Sequence, residues 1–230
     1  MRPRLVLFDI DGTLLSAGGV SARALKQALV ETFGTAGPAA GYDYSGKTDP
    51  QIVRELMLDA GFADEQIQAL RPLTLDRYSD RLAEAIRPAD VTPKPGVLAL
   101  LGALAAEGRV TLGLLTGNLE RCARLKVQTI GASGFFEFGA YGSDHEDRYR
   151  LPSIALHRAR AATGTAFEGP DTVMVGDSIH DVLCGRSLGV RAVAVATGRT
   201  STGRLAETRP DALLADLSDT TASLEAILEK

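Results

Sequence analysis

The spacing of hydrophobic positions changes twice along the chain. Arg4 to Ile10 is a short apolar run that predicts a buried strand, and Asp11-Gly12-Thr13 after it signals a turn. Between residues 16 and 88 the apolar positions recur every three or four residues, which predicts helices only. Beyond residue 96, helical periodicity alternates with short apolar runs. Because such runs are typical of strands buried on both faces, the pattern predicts a parallel sheet with a helical insertion after its first strand.

The expected elements follow from caps, stops and periodicity. In the insertion, Ser21 is expected to cap a helix that stops at Gly34, and Asp49 a second one with Pro50 at its first position. A third helix follows from four apolar positions: Leu75, Tyr78, Leu82 and Ile86. Downstream we expect helices at 97–106, 119–130, 152–162, 178–188 and 217–228, and strands at 110–115, 136–141, 172–175, 191–196 and 212–214. The chain thus divides into an α/β core (1–15 and 89–230) and a helical insertion (16–88).

Composition narrows the class of protein. The 230 residues include 25 Lys and Arg against 29 Asp and Glu, a net charge of −4, which argues against generic binding to nucleic acid or anionic membranes. Cys122 and Cys184 cannot form a disulfide framework, and every apolar run falls short of the ~20 residues that a membrane span needs. We expect a soluble, cytoplasmic enzyme or binding protein without a nucleic-acid or membrane partner; the oligomeric state stays open.

The candidate chemistry lies directly after the predicted strands, because ligands of parallel sheets bind at the carboxyl ends of the strands. Three groups of polar residues occupy such positions: Asp9, Asp11, Gly12 and Thr13; Thr116, Gly117 and Asn118; and Asp177, Ser178 and Asp181. Four carboxylates at one edge would raise each other's pKa unless a cation compensates. Oxygen ligands without His or Cys suit Mg²⁺ together with a substrate phosphate. A carboxylate can also attack phosphorus, so either Asp9 or Asp11 could be the nucleophile while the other donates a proton.

Three segments resemble motifs of the haloacid dehalogenase superfamily. Asp9-Ile10-Asp11-Gly12-Thr13-Leu14 is similar to motif I (DxDGTL), Leu115-Thr116-Gly117-Asn118 to motif II, and Gly176-Asp177-Ser178-Ile179-His180-Asp181 to motif IV (GDSxxD). The resemblance covers nearly the whole chain. It implies a Rossmann-like α/β core and a helical cap of type C1, residues 16–88, that closes over the substrate.

The resemblance also implies catalytic roles. Asp9 would be the nucleophile and a Mg²⁺ ligand, and Asp11 the general acid/base, offering its backbone carbonyl to the metal. Asp177 would be the second carboxylate on Mg²⁺, and Asp181 would lie at or just behind the metal. Thr116 would hold the phosphoryl group that is transferred.

Substrate contacts are expected from both parts of the chain. In the core they are Gly12, Thr13, Gly117 and Asn118. In the insertion, Gly46 and Lys47 precede a helix start, where a cation and free N–H groups would suit an anionic substrate tail. By position this segment resembles the substrate-specificity loop of the cap.

Motif III of the family, a lysine before the helix that leads to motif IV, has no lysine here. The segment Asp147-Arg148-Tyr149-Arg150-Leu151-Pro152 offers two arginines instead. Arg148 is the preferred substitute and Arg150 the alternate, because a guanidinium binds phosphate bidentately.

The function favoured by these residues is a Mg²⁺-dependent phosphatase acting on a small phosphorylated metabolite through an aspartyl-phosphate, similar to the phosphoglycolate phosphatase-like group. Asp11 argues against haloacid dehalogenases and phosphonoacetaldehyde hydrolases, which lack the second aspartate. A β-phosphoglucomutase-like mutase, which shares both aspartates and the C1 cap, stays an alternative. So does a catalytically inactive module that binds phosphate esters.

Overall fold

The computed structural model describes residues 2–228, and in this range eight strands and nine helices follow one another. The strands are β1 (Arg4–Phe8), β2 (Leu15–Ser16), β3 (Thr92–Pro93), β4 (Val110–Thr116), β5 (Gly139–Tyr141), β6 (Thr172–Gly176), β7 (Arg191–Val195) and β8 (Ala212–Leu214). The helices are α1 (Val20–Phe33), α2 (Asp49–Asp59), α3 (Asp64–Ala85), α4 (Val97–Ala106), α5 (Glu120–Thr129), α6 (Leu151–Thr163), α7 (Ile179–Cys184), α8 (Thr202–Glu207) and α9 (Thr220–Leu228). No helix in the described range is long and apolar enough to cross a membrane.

The central sheet has six parallel strands in the order β5-β4-β1-β6-β7-β8 across the described residues. One of its two central strands is β1, whose residues Leu5 to Phe8 are inaccessible to solvent because helices cover both faces of the sheet. Alternate residues of β1 enter two different apolar clusters, Val6 and Phe8 one and Leu5 and Leu7 the other. The predicted α/β fold with a Rossmann-like parallel sheet is confirmed.

The strand order determines where the candidate site lies. β4 and β6 pair with β1 on either side, so the three strands end next to one another. The polar segments that follow them, which begin at Asp9, Gly117 and Asp177, therefore meet at the carboxyl edge of the sheet.

The helical insertion, α1 to α3, leaves and re-enters the core through a short antiparallel ribbon. There β2 pairs with β3, with Leu15 opposite Pro93 and Ser16 opposite Thr92. A strand of two residues is too short to show an alternation, which is why the sequence did not predict it. Apolar residues of the insertion such as Leu29 and Leu56 are buried in the same cluster as Phe8 of β1.

Two predicted helix caps of the insertion are wrong. α1 begins directly after Gly19, so Ser21 lies inside the helix. α2 is capped by Thr48, whose Oγ1 accepts a hydrogen bond from the Gln51 N–H at 3.2 Å, and Asp49 is the first helical residue. Either side chain can cap a helix, and in this chain the carboxylate of Asp49 has another partner in the candidate site.

Several predicted bounds differ from the structure. The helix expected at 178–188 divides after Cys184 into α7 and a 3₁₀ turn, Arg186–Leu188. The strand expected at 136–141 is reduced to β5, and α8 was not predicted. α3 begins at Asp64, well before the apolar spacing that signalled it, because its first half is largely solvent-exposed and lacks that spacing.

Candidate active site

A cavity of about 330 Å³ lies between the carboxyl edge of the sheet and the helical insertion. Its core wall includes Asp9, Asp11, Thr116, Asn118, Lys126, Arg148 and Asp177. Its other wall comes from the insertion and includes Leu25, Tyr44, Gly46, Lys47, Asp49, Ile52 and Tyr78. Of the residues predicted to bind substrate, only Thr13 is absent from the lining.

Asp9 is held at the end of β1 by a buried arginine. Its N–H donates to the Val175 carbonyl at 3.0 Å, which continues the pairing of β1 with β6. Arg148 Nη2 donates to Asp9 Oδ1 at 3.0 Å and also to Asp181. The Arg148 side chain is 3% exposed, whereas that of Arg150 is 71% exposed and lies 3.9 Å from Asp147. The structure thus places Arg148, and not Arg150, beside the predicted nucleophile.

Local structure explains why Arg148 points inward. It begins a 3₁₀ turn, Arg148–Arg150, in which the Asp147 carboxylate accepts the Tyr149 N–H at 2.9 Å. The guanidinium also donates to two carbonyls, that of Leu115 in β4 at 3.3 Å and that of Gly46 in the insertion at 3.4 Å. Arg148 therefore contacts both walls of the cavity.

Asp177 is fixed by residues that follow β1 and β7. Thr13 Oγ1 donates to Asp177 Oδ1 at 2.7 Å, and Thr13 is fully buried. Gly12 has a φ of +93°, and a Cβ there or at Gly198 would collide with the Asp177 carboxylate. Thr13 was predicted to touch the substrate; in the structure it does not line the cavity, and its hydroxyl is hydrogen-bonded to Asp177.

Asp181 joins the start of α7 to Arg148. Its Oδ2 accepts from the Ser178 N–H at 2.9 Å and from Ser178 Oγ at 2.7 Å, and its own N–H donates to Ser178 Oγ at 3.2 Å. This reciprocal cap turns the other oxygen, Oδ1, toward the Arg148 guanidinium.

Three buried carboxylates meet around a single guanidinium. Asp9, Asp177 and Asp181 each offer an oxygen, and these atoms lie within 4.8 Å of one another. Burial, reinforced by the charge of Asp181 and opposed by Arg148, raises the pKa of Asp9 to about 7. Burial and the charges of Asp181 and Asp9 also raise the pKa of Asp177 well above its usual range. One guanidinium does not balance three acids, and an all-oxygen donor set with a deficit of positive charge fits a hard divalent cation.

Asp11 belongs to a different cluster, with a lysine that the sequence analysis missed. Lys126 Nζ lies 2.6 Å from Asp11 Oδ2 and also donates to Asn118 Oδ1. Asn118 Nδ2 donates to the same Asp11 oxygen at 2.7 Å and to Thr116 Oγ1 at 2.8 Å. The side chain of Lys126 is 2% exposed and that of Asp11 43%. The sequence does contain a sign that Lys126 is buried, because it follows Cys122 by four residues and residues with this spacing share one face of a helix, here the buried face of α5.

Asp49 is a second residue that the sequence did not assign to the site. Its N–H donates to the Gly117 carbonyl at 2.8 Å, and its Oδ2 accepts the Leu119 N–H at 2.8 Å. A Cβ on Gly117 would collide with the backbone of Lys47, so this close approach requires glycine. Burial raises the pKa of Asp49 to about 6, although the nearby charge of Lys126 opposes the shift.

The cation predicted to receive an anionic substrate tail already has partners. Lys47 Nζ lies 2.6 Å from Glu55 Oε2 and 3.1 Å from Tyr42 Oη, over the ring of that tyrosine. Lys47 lines the cavity, but its charge is balanced by Glu55. Gly46 lies so close to Ser178 that a Cβ at Gly46 would collide with the serine side chain.

The loop after β7 completes the core wall. Thr197 Oγ1 donates to the Gly12 carbonyl at 2.6 Å, and Lys94 Nζ donates to the Thr197 carbonyl at 2.6 Å. Gly198 and Arg199 also line the cavity. Residues 197–199 come shortly after the end of β7. The rule that ligands bind at the carboxyl ends of parallel strands, which selected the other three polar segments, therefore applies to this segment too.

Comparison with known proteins gives one consistent result. The family model described as "Haloacid dehalogenase-like hydrolase" matches residues 6–195. Phosphoglycolate phosphatase of Agrobacterium fabrum is 30% identical over 224 residues, which cover 96% of this chain and 91% of the relative. Pyrophosphatase PpaX of Bacillus pumilus is 26% identical over 215 residues, 93% of each chain. The crystal structure of a predicted phosphatase from Clostridium acetobutylicum superposes with a TM-score of 0.76 at 17% identity, covering 98% of this chain and 100% of the other.

Proposed function

Since the chain belongs to the haloacid dehalogenase-like hydrolases and is a phosphatase of that family, we propose that it hydrolyses a small phosphorylated metabolite through an aspartyl-phosphate on Asp9, with Mg²⁺ as cofactor. The observation that supports this most directly is that two carboxylates at the end of β1 have different cationic partners. Asp9 is paired with Arg148, and Asp11 with Lys126.

Asp9 is the nucleophile in this proposal. It lines the cavity, and Arg148 donates a hydrogen bond to its Oδ1. Its carboxylate oxygen attacks phosphorus and the bond from phosphorus to the ester oxygen breaks, while the guanidinium compensates the negative charge of the phosphoryl oxygens. Thr116 lines the same cavity, and its Oγ1 accepts a hydrogen bond from Asn118 Nδ2 at 2.8 Å, which leaves the Thr116 hydroxyl hydrogen to be donated to one of these oxygens.

Asp11 is the general acid/base. Because it is the more exposed of the two aspartates, it can face the leaving group rather than the phosphoryl group. It gives its proton to the departing alcohol oxygen. In the second half of the reaction it takes a proton from the water that attacks the aspartyl-phosphate, and Asp9 is regenerated as phosphate leaves.

Asp9, Asp177 and the backbone carbonyl of Asp11 would hold Mg²⁺. When bound, the ion neutralises charge on the phosphoryl oxygens and balances the excess of carboxylates. Both oxygens of Asp181 already have partners, so we assign Asp181 to orienting Arg148 behind the metal.

Residues 16–88 act as the cap. The hydrogen bond from the Asp49 N–H to the Gly117 carbonyl and the cavity volume of about 330 Å³ support a site that the insertion covers in part and that suits small substrates. Phosphoglycolate, which names several of the relatives, is the first substrate to test.

The test is phosphate release from phosphoglycolate and from a generic phosphate ester, with Mg²⁺ or with EDTA. Wild type should be active only with the metal, and Asp9→Asn should lose roughly a thousandfold or more in kcat. Asp171→Asn, which alters an aspartate at the opposite end of β6, is the matched control and should keep wild-type activity. Full activity in Asp9→Asn would refute the nucleophile, and no turnover of any ester by wild type would refute the proposed function.

A further inference from the structure

The oxygen Oδ2 of Asp11 accepts two hydrogen bonds at once. Lys126 Nζ lies 2.6 Å from it and Asn118 Nδ2 lies 2.7 Å from it. The two donors are themselves joined, because Lys126 Nζ also donates to Asn118 Oδ1. The three side chains form a closed ring through Oδ2 of Asp11, and the side chain of Asp11 lines the cavity and is 43% exposed.

Packing alone does not account for a lysine at this position. The neighbours of Lys126 on the buried face of α5 are Cys122, Ala123 and Val127, so an apolar side chain would fit the surroundings. Burying an ammonium costs several kcal/mol unless it is paired and hydrogen-bonded. Its ion-pair partner Asp11 lines the cavity, and so does Asp49, whose charge also acts on the ammonium.

We propose, on the basis of the proposed function, that Lys126 positions the general acid/base Asp11. Together with Asn118 it fixes Oδ2 of Asp11, so that Oδ1 carries the proton exchanged with the leaving group. When the ester bond breaks, the proton moves from Oδ1 to the alcohol oxygen and Asp11 becomes negatively charged. The ammonium, already 2.6 Å from Oδ2, compensates that charge without moving. Lys126 gives up no proton in either half of the reaction.

This role differs from that of Arg148. The guanidinium contacts Asp9, where the phosphoryl group is transferred, whereas the ammonium contacts Asp11, where the alcohol departs. Loss of Lys126 should therefore affect the departure of the alcohol and leave the binding of the phosphoryl group intact.

Two nearly isosteric substrates separate these effects, ethyl phosphate and 2,2,2-trifluoroethyl phosphate. The fluorinated alcohol is far more acidic, so its departure needs much less help from a proton donor. We measure kcat/KM, which reports on the step that releases the alcohol, and inhibition by inorganic phosphate, which reports on phosphoryl binding.

For Lys126→Met we expect kcat/KM for ethyl phosphate to fall roughly 30- to 100-fold, within the range of general acid–base catalysis, and that for the trifluoroethyl ester less than about fivefold. Inhibition by inorganic phosphate should stay within about twofold, since the phosphoryl site is intact. Lys126→Arg, which restores a cation, should recover most of the loss on ethyl phosphate. Lys126→Gln, which keeps a neutral donor, supplies the same comparison should the methionine variant not fold.

Lys94→Met is the matched control, because Lys94 lines the same cavity but donates to a backbone carbonyl rather than to an acid. Its two kcat/KM values should change by the same factor. An equal loss on both esters in Lys126→Met, or a large loss of affinity for inorganic phosphate, would overturn the positioning role. If the wild type with Mg²⁺ hydrolyses neither these two esters nor phosphoglycolate nor a generic phosphate ester, the proposed function is overturned instead.

Discussion

The two walls of the cavity hold their charged residues in opposite ways. On the core wall, Asp9 and Asp177 are buried with too little positive charge around them, and their pKa values are raised. On the insertion wall, Lys47 is balanced by Glu55, and Asp49 is bonded to the backbone of the opposite wall. Asp11 on the core wall is itself compensated by Lys126, so what distinguishes this wall is the excess of carboxylates at Asp9, Asp177 and Asp181. In the proposed function this excess of negative charge is what a metal ion and a phosphate ester would meet on the core wall, whereas the insertion wall would cover the cavity.

Arg148→Met should give the largest effect, because Arg148 is the guanidinium that contacts both Asp9 and Asp181 in the core wall. Removing one partner of a buried ion pair leaves an unpaired charge, so the free energy of unfolding in EDTA should fall by about 3–5 kcal/mol. Phosphatase activity should be lost as well. Equilibrium unfolding in urea, with and without Mg²⁺, measures the change, and the metal should reduce it.

The matched control is Arg150→Met, two residues away in the same turn, whose side chain is on the surface. Its effect on the free energy of unfolding should stay within about 0.5 kcal/mol. Similar losses in the two variants would contradict the assignment of motif III to Arg148.

These two arginines also illustrate which parts of the candidate site could be predicted from the sequence. The acids of the core wall were predictable because apolar strands and the polar residues after them can be read from local order alone. Arg148 was selected differently, from the resemblance of its segment to motif III and from the ability of a guanidinium to bind phosphate. The spacing of Lys126 from Cys122 places it on the buried face of α5, but which residues that face meets could not be read from the sequence, and the role of Asp49 depends on which side chain caps α2. Those choices are made by packing between segments far apart in the chain.

Asp49→Asn tests the carboxylate of the insertion wall through pH. Burial raises its pKa to about 6 from 3.8, so between those values the unfolded chain releases the proton first and this group makes the protein less stable as pH rises. The asparagine variant lacks this loss and can still accept the Leu119 N–H. From pH 4 to pH 7 its free energy of unfolding should therefore gain on that of wild type by on the order of 2 kcal/mol.

Asp43→Asn provides a control of opposite sign in the same segment. The Ser45 N–H holds the pKa of Asp43 below its usual range, so that group adds stability above the pKa of the unfolded chain and loses it as pH falls. The difference between this variant and wild type should change in the reverse direction. If the two variants follow the same pH trend, the charge of Asp49 is not isolated from solvent as the structure indicates.

Thr48→Ala should give the smallest effect and should separate attachment of the insertion from chemistry. Thr48 Oγ1 accepts the Gln51 N–H as the cap of α2 and donates to the Glu146 carbonyl of the core at 2.6 Å. Losing the cap should lower the free energy of unfolding by about 1 kcal/mol. Because the insertion wall encloses the substrate without reacting, KM should rise a few-fold while kcat stays close to wild type, and Thr48→Ser, which keeps the hydroxyl, should restore both quantities. A fall in kcat as large as that of Arg148→Met would show that the two walls are not separable.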